Sequence, residues 1–285
     1  MPHNITGIDH ALVGVHDLEA ARVAFEGLGF TVTPRGSHIG WGTANYCVMF
    51  EDNYIELLGV VDPSLETNGL DTTLADRGEG LLGVALASDS PDATHSSLVG
   101  AGLRPSDLLD LKRKLELPEG DVLPRFKLIR IGAEGLSEKH LFICHHLTPE
   151  LLRRPEWLAH ANGARHIASV VFVVENPALT ANYYRRLFGS IHVTVTDDTV
   201  TVRTAQGNLI FVNDVDLDML FPGLSFAEEL PPSPHPFAMT IGVKDLTETS
   251  EYFKGTGITP QAISNGSLRI DPKYTAGVLL EFVQA

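Results

Sequence analysis

The predicted order of secondary structure constrains this chain most, because a strand, a helix and a group of later strands follow one another four times. In the first unit an apolar strand runs to Val15, Asp17 stands where a helix N-cap belongs, and Gly29 ends the helix. Two further strands are predicted at 47–50 and 54–60. A repeated order of elements without residue identity indicates a chain built from duplicated units.

The other three units show the same order less clearly. Their first strands and helices are predicted at 83–88 and 92–100, at 167–174 and 177–188, and at 238–243 and 246–254. Their later strands are predicted at 126–131, 141–145, 191–196, 199–204, 209–212, 268–270 and 278–283. The four units span approximately residues 7–60, 79–147, 164–214 and 236–284. They predict two domains, residues 1–150 and 151–285.

Composition limits the possible partners and compartment. The chain has 285 residues, of which 44% are hydrophobic, and its net charge of -15 argues against binding nucleic acid or anionic membrane surfaces. No apolar run reaches the roughly 20 residues of a membrane span, and the N-terminus lacks the pattern of a signal peptide. Cys47 and Cys144 each lie in an apolar strand-like run, which predicts reduced core thiols in a cytoplasmic protein.

Two polar residues interrupt the apolar strands of the first unit. His10 directly precedes an aliphatic run, and Glu56 has aliphatic residues on both sides. Because burying an unpaired charge is costly, the two side chains on neighbouring strands predict a divalent-metal site. The alternatives are a hydrogen-bonded core histidine and an internal ion pair of Glu56 with Arg35 or Arg77.

Several other polar residues carry weaker signals. Arg125 and Arg130 bracket a predicted strand, where they could anchor an anionic substrate or form structural ion pairs. The short basic run 112–114 is followed by acidic residues and is interpreted as a solvated face. The proline-rich segment 221–236 is predicted to be a connector or a cover over a pocket. The histidines expected in solvent are His3, His16, His95, His140, His160, His192 and His235.

The first unit resembles the vicinal oxygen chelate superfamily and, more narrowly, the glyoxalase-like domain proteins of bacteria. The residues that carry the resemblance are Asp9-His10, Asp17-Leu18-Glu19-Ala20, Leu28-Gly29-Phe30, His38, Gly40-Trp41-Gly42-Thr43, Asn45 and Tyr54-Ile55-Glu56-Leu57. The other three units match in architecture only. The resemblance implies an α+β fold, in which four βαβββ modules pair into two tandem glyoxalase-like domains with curled mixed sheets and outer helices.

The resemblance also implies a metal in the cup of a domain, with His10 and Glu56 as ligands. If the first unit pairs with the second, the third ligand is His146, whose strand parity allows it to point into the cup, whereas His145 points away. If the first unit pairs with the fourth, the third ligand is Glu281. Either set leaves positions for water and substrate and suits Mn, Fe, Co, Ni or Zn.

The implied function is a metal-dependent lyase or isomerase that acts on a small, carbonyl-containing metabolite with vicinal oxygens. Glu56 would also be catalytic, as a base. The residues expected to contact the substrate are His38, Trp41, Thr43 and Asn45. Two alternatives remain: a metal-free protein of the same fold that sequesters a small molecule, and an extradiol-type ring-cleaving dioxygenase with His146 as its second imidazole. The chain is expected to be a monomer or a homodimer, with a small molecule as its partner.

Overall fold

The computed structural model describes residues 1–132, 140–197, 199–224 and 231–285, and these residues form sixteen strands and six α-helices. The strands of the N-terminal half are β1 (Ile5–Val15), β2 (Gly36–His38), β3 (Thr43–Met49), β4 (Tyr54–Val60), β5 (Gly80–Ser88), β6 (Leu109–Leu115), β7 (Arg125–Arg130) and β8 (Leu141–His146). Its helices are α1 (Leu18–Gly27), α2 (Leu70–Arg77) and α3 (Pro91–Gly100).

The C-terminal half repeats the same classes of element. Its strands are β9 (Ala164–Val173), β10 (Val193–Thr196), β11 (Thr199–Thr204), β12 (Gly207–Val212), β13 (His235–Val243), β14 (Gln261–Ala262), β15 (Leu268–Ile270) and β16 (Leu279–Gln284). Its helices are α4 (Pro177–Phe188), α5 (Leu217–Leu220) and α6 (Leu246–Gly255). None of the described helices is long and apolar enough to cross a membrane.

The first two units close into one eight-stranded barrel, in the order β1-β4-β3-β2-β6-β7-β8-β5. Strand β1 pairs with β4 in parallel and with β5 antiparallel, and the pairing of β2 with β6 joins the two units on the other side. The first unit therefore pairs with the second. The alternative pairing of the first unit with the fourth is wrong.

The last two units form a separate eight-stranded sheet, in the order β10-β11-β12-β9-β13-β16-β15-β14. Its centre is the antiparallel pair β9 and β13, which corresponds to β1 and β5 of the barrel. Helix α4 packs against β10 and β11, and α6 packs against β16. Paired modules, mixed sheets and surrounding helices confirm the predicted α+β class.

Helix α1 forms where the sequence predicts it. The Asp17 side chain accepts a hydrogen bond from the Ala20 backbone N–H at 2.9 Å, as an N-cap does. Leu18, Ala21 and Phe25 form the buried face of the helix. Gly29 follows the helix with a φ of 85°, a conformation that favours glycine.

Five of the described strands and α-helices escaped the sequence prediction, among them the short β14 and α5. Strand β2 has only three residues, too few for an alternating pattern to be recognised. Strand β6 alternates apolar and charged residues, and its 112–114 segment was interpreted as a solvated face. Helix α2 buries only Leu70 and Leu74, so its apolar face is one residue wide over two turns.

Candidate active site

A cavity of about 1010 Å³ opens inside the barrel, and both halves of the chain line it. Its barrel wall includes His10 and Glu56, which lie on the neighbouring strands β1 and β4. Its cover includes Leu224, Pro231 and residues 234–237 from the proline-rich segment. The described part of that segment thus covers a pocket, one of the two predicted possibilities, while residues 225–230 lie outside the described residues.

His10 and Glu56 face each other at the cavity wall. The His10 Nε2 atom lies 3.4 Å from Glu56 Oε2, and both side chains are buried. The other ring nitrogen, Nδ1, lies 2.7 Å from Asp9 Oδ2. Because an ionised carboxylate can only accept, Nδ1 carries a proton and donates a hydrogen bond to Asp9, and Nε2 is the ring nitrogen that faces Glu56. The ring also stacks on Tyr54 with 4.5 Å between centroids.

Asp9 joins this cluster although it is adjacent to His10 on a strand, where neighbouring side chains normally point to opposite faces. The register of β1 against β5 shifts between Ile8 and His10. Such an irregularity redirects side chains locally. As a result, Asp9 is only 2% exposed and orients the His10 ring. Asp9 was not predicted as a site residue, because a shift of this kind leaves no clear pattern in a single sequence.

His38 approaches the same carboxylate from another direction. Its Nε2 atom lies 3.9 Å from Glu56 Oε1, and its Nδ1 atom lies 2.8 Å from Thr43 Oγ1. Burial lowers the pKa of His38, so the neutral ring is favoured. Asn45 donates a hydrogen bond to Glu56 Oε1. The two imidazoles and the amide therefore surround both carboxylate oxygens.

The four residues predicted to contact a substrate differ in position. His38, Trp41 and Thr43 line the cavity, and the Trp41 ring lies 6.0 Å from the His38 ring between centroids. Asn45 is buried behind them and touches Glu56 instead. Contact of all four with a substrate stays a prediction, while the structure places three of them where a ligand would be bound.

Both carboxylates of the cluster are held in the ionised form. Burial acts to raise the pKa of Glu56, but the two imidazoles, the Arg113 guanidinium and the Asn45 amide outweigh it and lower the pKa. Burial also opposes ionisation of Asp9, and its contacts with His146 and His10 lower its pKa well below the usual range. Two buried carboxylates beside imidazole nitrogens are a donor set that fits a divalent cation.

His146 reaches the cluster through Asp9. Its Nε2 atom lies 3.0 Å from Asp9 Oδ2, whereas Glu56 contacts His10, His38 and Asn45. Its buried Nδ1 atom has no hydrogen-bond partner among the described residues. His145 points the other way, as predicted, with its Nδ1 atom 2.5 Å from the Ser88 carbonyl oxygen. A role of His146 as third ligand beside His10 and Glu56 stays a prediction.

Asp9, Cys144 and His146 form a second possible cation cluster, with ligand atoms all within 4.8 Å of one another. Burial raises the pKa of Cys144 well above its usual value, so the thiol form is favoured. Cys47 and Cys144 are both free and buried, which confirms the prediction of core thiols. Of this second cluster only Cys144 lines the cavity, whereas His10, His38 and Glu56 all do.

Glu281 lies in the other sheet and is not available to His10 and Glu56. Its Oε1 atom accepts from Arg269 Nε at 2.8 Å and lies 2.7 Å from Arg269 Nη2. Ser267 donates to the second oxygen at 3.1 Å. The alternative third ligand depended on pairing the first unit with the fourth, and that pairing is absent from the described strands. Glu281 is instead a partner in a buried ion pair.

Arg113 corrects the interpretation of residues 112–114 as a solvated face, because it is only 2% exposed. Alternation along β6 places its side chain on the inner face of the barrel, opposite to its two lysine neighbours. Its Nη1 atom donates to Cys47 Sγ at 3.2 Å, and its guanidinium lies 5.8 Å from the centre of the Phe126 ring. The two-residue period of a β-strand was the sequence signal that could have identified Arg113 as an inward-facing residue.

Other expectations also need correction. Neither Arg35 nor Arg77 pairs with Glu56: Arg35 lies 3.8 Å from Glu116, and Arg77 lies 3.5 Å from His140. Six of the seven histidines expected in solvent are instead buried or half-buried, and only His16 is exposed. His140 and His235 are buried, and the half-buried ones are His3, His95, His160 and His192. Of the two arginines proposed as substrate anchors, Arg130 lines the cavity and Arg125 is exposed.

Comparisons with known proteins agree with this architecture. A family model described as "Glyoxalase-like domain" matches residues 8–188, more than half of the chain. A search of curated proteins finds no match. Among solved structures, a hypothetical protein from Staphylococcus aureus is similar with a TM-score of 0.67 and 14% identity, over 98% of this chain and 99% of that chain.

A second similar structure is a mutant of 4-hydroxymandelate synthase from Streptomyces coelicolor, with a TM-score of 0.63 and 13% identity, over 100% of this chain and 93% of that chain. A third is a xylose isomerase-like TIM barrel/4-hydroxyphenylpyruvate dioxygenase fusion protein, with a TM-score of 0.55 and 12% identity, over 100% of this chain and 50% of that chain. At these identities the likeness shows the fold alone. The family match and the paired modules together show that the chain belongs to the glyoxalase-like domain family of the vicinal oxygen chelate superfamily.

Proposed function

We propose that this chain is a metal-dependent enzyme of the lyase or isomerase type, which acts on a small carbonyl-containing molecule with vicinal oxygens in the barrel cavity. One observation carries the proposal. His10 Nε2 lies 3.4 Å from the Glu56 carboxylate on the cavity wall, while Asp9 fixes the other ring nitrogen. A carboxylate behind a histidine is the usual support of a metal-binding imidazole.

The residues that would hold the metal are His10, Glu56 and His38. All three line the cavity, and the two Nε2 atoms approach the Glu56 carboxylate from different sides, at 3.4 and 3.9 Å. When bound, a divalent metal supplies Lewis-acid polarisation of a substrate carbonyl, typically worth several kcal/mol of transition-state stabilisation. The protein supplies the ligand orientation, through Asp9 behind His10 and Thr43 behind His38.

Proton transfer is assigned to Glu56. Its lowered pKa keeps it ionised near neutral pH, so it can accept a proton from a carbon next to a carbonyl group. The Asn45 amide holds one carboxylate oxygen in place. Apolar residues of the C-terminal half, among them Phe237 and Leu279, line part of the cavity, and an apolar wall strengthens electrostatic interactions beside it.

Elemental analysis of protein purified without a metal-binding tag tests the proposal. We expect stoichiometric divalent metal in the native protein, and loss of metal in His10→Ala. The control His145→Ala removes an imidazole of the same barrel that points away from the site, and it should keep its metal. Absence of metal from every variant, after Mn, Fe, Co, Ni and Zn have each been offered, would contradict the proposal and favour a metal-free binding protein.

A ring-cleaving dioxygenase is the second candidate, and the position of His38 favours it. Two imidazoles and one carboxylate, here His10, His38 and Glu56, are the ligand chemistry of many non-haem iron oxygenases. The test is oxygen consumption by Fe(II)-loaded protein in the presence of catechols. Uptake that depends on His38 would support this reaction. Metal-dependent proton exchange into a carbonyl substrate without oxygen uptake would support the lyase or isomerase.

A further inference from the structure

We propose that Arg113 binds the carboxylate group of the substrate, so that the cavity accepts organic carboxylates whose reacting oxygens lie beside His10, His38 and Glu56. The inference deepens the proposed function, on which it rests, by naming the substrate class. It starts from a charged side chain that is buried on the wall of a cavity and lacks a hydrogen-bond partner, among the described residues, for two of its three guanidinium nitrogens.

The free edge of the Arg113 guanidinium has the geometry that carboxylates prefer. Nη1 is occupied by Cys47 Sγ, but Nε and Nη2 are buried without a hydrogen-bond partner among the described residues. These two nitrogens form one edge of the planar group and present parallel N–H bonds. A carboxylate bound to that edge accepts two hydrogen bonds side by side, the bidentate pairing for which arginine is suited.

Among the residues that the structure describes, Arg113 has no carboxylate in direct contact, although the charge of Glu56 acts on it from a greater distance. No carboxylate of the described chain lies within 4.0 Å of its guanidinium, although buried arginines are ordinarily paired. Its one polar contact is the Cys47 thiol, whose pKa is raised by burial so that the neutral form is favoured. A buried cation with a neutral partner is costly, and an anionic ligand would remove that cost.

The position of Arg113 connects the anion site to the proposed metal ligands. Residues His38 and Arg113 are directly opposite each other in the antiparallel pairing of β2 with β6. Opposite residues of such a pair share one face of the sheet, with Cβ atoms about 5 Å apart. A substrate held by Arg113 would therefore extend along the wall toward His38 and Glu56.

The shape of the unpartnered edge favours a carboxylate over a phosphate. Two free N–H groups match the two oxygens of a carboxylate, whereas a phosphate dianion would require further donors.

Two other arginines line the cavity among the described residues, Arg77 and Arg130. Arg77 is exposed and lies 3.5 Å from His140. Arg130 is half-buried. Substitution of these two arginines provides controls in the experiment, because a general attraction of anions to the cavity would depend on them as well.

The experiment measures binding of matched acids and amides to metal-free protein by isothermal titration. The probes are 3-phenylpropanoate with 3-phenylpropanamide, and 4-methyl-2-oxopentanoate with its amide; inorganic phosphate is a further arm. We expect the wild type to bind each acid about tenfold more tightly than its amide. Arg113→Gln should abolish the preference for acids. Arg113→Lys should retain only part of it, because lysine keeps the charge but lacks the two parallel N–H bonds of the guanidinium edge.

Control variants locate the effect. Arg125→Gln makes the same change in charge on the outer surface and should keep the full preference, as should Arg77→Gln and Arg130→Gln. The proposal is overturned if the wild type binds the amides as tightly as the acids or binds neither, if phosphate binds more tightly than the acids, or if Arg113→Gln keeps the preference. The wild-type comparison stands even if a variant does not fold.

Use of metal-free protein separates this inference from the metal proposal. An acid preference that persists in His10→Ala while no variant holds metal would support the anion site and contradict the proposed metal enzyme. A protein that binds metal but shows no preference for acids would support the proposed metal enzyme and contradict the anion site.

Discussion

Asp9 connects two histidines through a single buried carboxylate. It accepts from His10 Nδ1 at 2.7 Å and lies 3.0 Å from His146 Nε2, and the Arg153 guanidinium approaches its other oxygen at 4.0 Å. An ionised group at this depth is stable only because several donors share its charge. Asp9 thereby determines which nitrogen of His10 faces the cavity.

The first prediction concerns Asp9→Asn. An amide in place of the carboxylate can donate to His10 Nδ1 and favour the wrong tautomer, with the proton on Nε2. We expect metal affinity to fall about 10- to 100-fold, as for other carboxylates behind a ligating histidine. Competition with a chelator of known affinity measures it.

Asp52→Asn is the matched control, because it makes the same substitution at an exposed aspartate between β3 and β4. Its metal affinity should equal that of the wild type. Equal affinities in Asp9→Asn and wild type would show that Asp9 does not orient a ligand.

At the scale of elements, the β15–β16 pair contains a buried ion pair. Arg269 and Glu281 are directly opposite each other, with 3% and 6% of their side chains exposed. Arg269 Nη1 also donates to the Pro222 carbonyl oxygen at 3.1 Å, which ties the proline-rich segment to the sheet. The two charges are buried against each other, so removal of either partner alone leaves a buried charge.

The second prediction follows from this pair. Arg269→Met should lower the free energy of unfolding by about 3–5 kcal/mol, because Glu281 would remain buried without its partner. The double variant Arg269→Met with Glu281→Leu should recover most of the loss. Urea unfolding of the wild type, the single variants Arg269→Met and Glu281→Leu, and the double variant measures both effects. A double variant as unstable as the single one would assign the loss to packing instead of charge.

The segment between the two sheets is held by His160. Its Nδ1 atom accepts from the Thr31 N–H at 3.0 Å, and its Nε2 atom donates to the Met49 carbonyl oxygen at 3.0 Å. Its ring packs edge-on to Phe30 and Phe50, with 5.8 and 5.0 Å between centroids. These contacts require the neutral ring, and burial lowers the pKa of His160 to about 4.

The third prediction is a loss of stability in mild acid. An unfolded histidine has a pKa of about 6.5, so between about pH 6.5 and 4 the unfolded chain binds more protons than the folded chain. The contribution of His160 is therefore complete above pH 6.5 and decreases as the pH falls. From pH 7.5 to 5 it should lose about 2 kcal/mol.

Urea unfolding at the two pH values gives the comparison. His160→Gln should show a decrease smaller than that of the wild type by this amount, whereas His16→Gln, at an exposed position, should behave as the wild type. An identical pH dependence in all three proteins would contradict the assignment to His160.

At the scale of the whole molecule, the barrel and the second sheet share one hydrophobic core. A single cluster of buried residues includes members of both, from Ile5 to Phe282. The Phe30 and Phe282 rings stack across it with 6.1 Å between centroids. Asn53 adds two hydrogen bonds between the halves: its Oδ1 accepts from the Ile167 N–H at 2.9 Å, and its Nδ2 donates to the Ile167 carbonyl oxygen at 3.3 Å.

The fourth prediction is that Asn53→Ala destabilises the whole molecule. The substitution leaves two backbone groups of Ile167 buried without partners, at a cost of about 1–3 kcal/mol. Because the core is continuous, unfolding should remain one transition followed by circular dichroism in urea. Asn182→Ala, on the exposed face of α4, should have little effect. Separate transitions for the two halves would contradict a shared core.

Local signals determined much of this architecture. Apolar alternation, helix spacing and the caps at Asp17 and Gly29 depend on neighbours a few residues apart, so the sequence contains them. The same signals singled out His10 and Glu56, which the structure places in contact. They could not identify Asp9, whose orientation depends on a register shift against β5.

By itself, the sequence determined the order of the elements, the two cysteines as core thiols and the two polar residues inside apolar strands. Only the tertiary structure decided that the first unit pairs with the second, that Glu281 pairs with Arg269, and that Arg113 faces the cavity. The physical reason is the distance along the chain over which each kind of interaction acts. Propensity and periodicity act along a few residues of chain, whereas the partner of a strand, and hence of a buried charge, is selected by contacts between segments far apart in sequence.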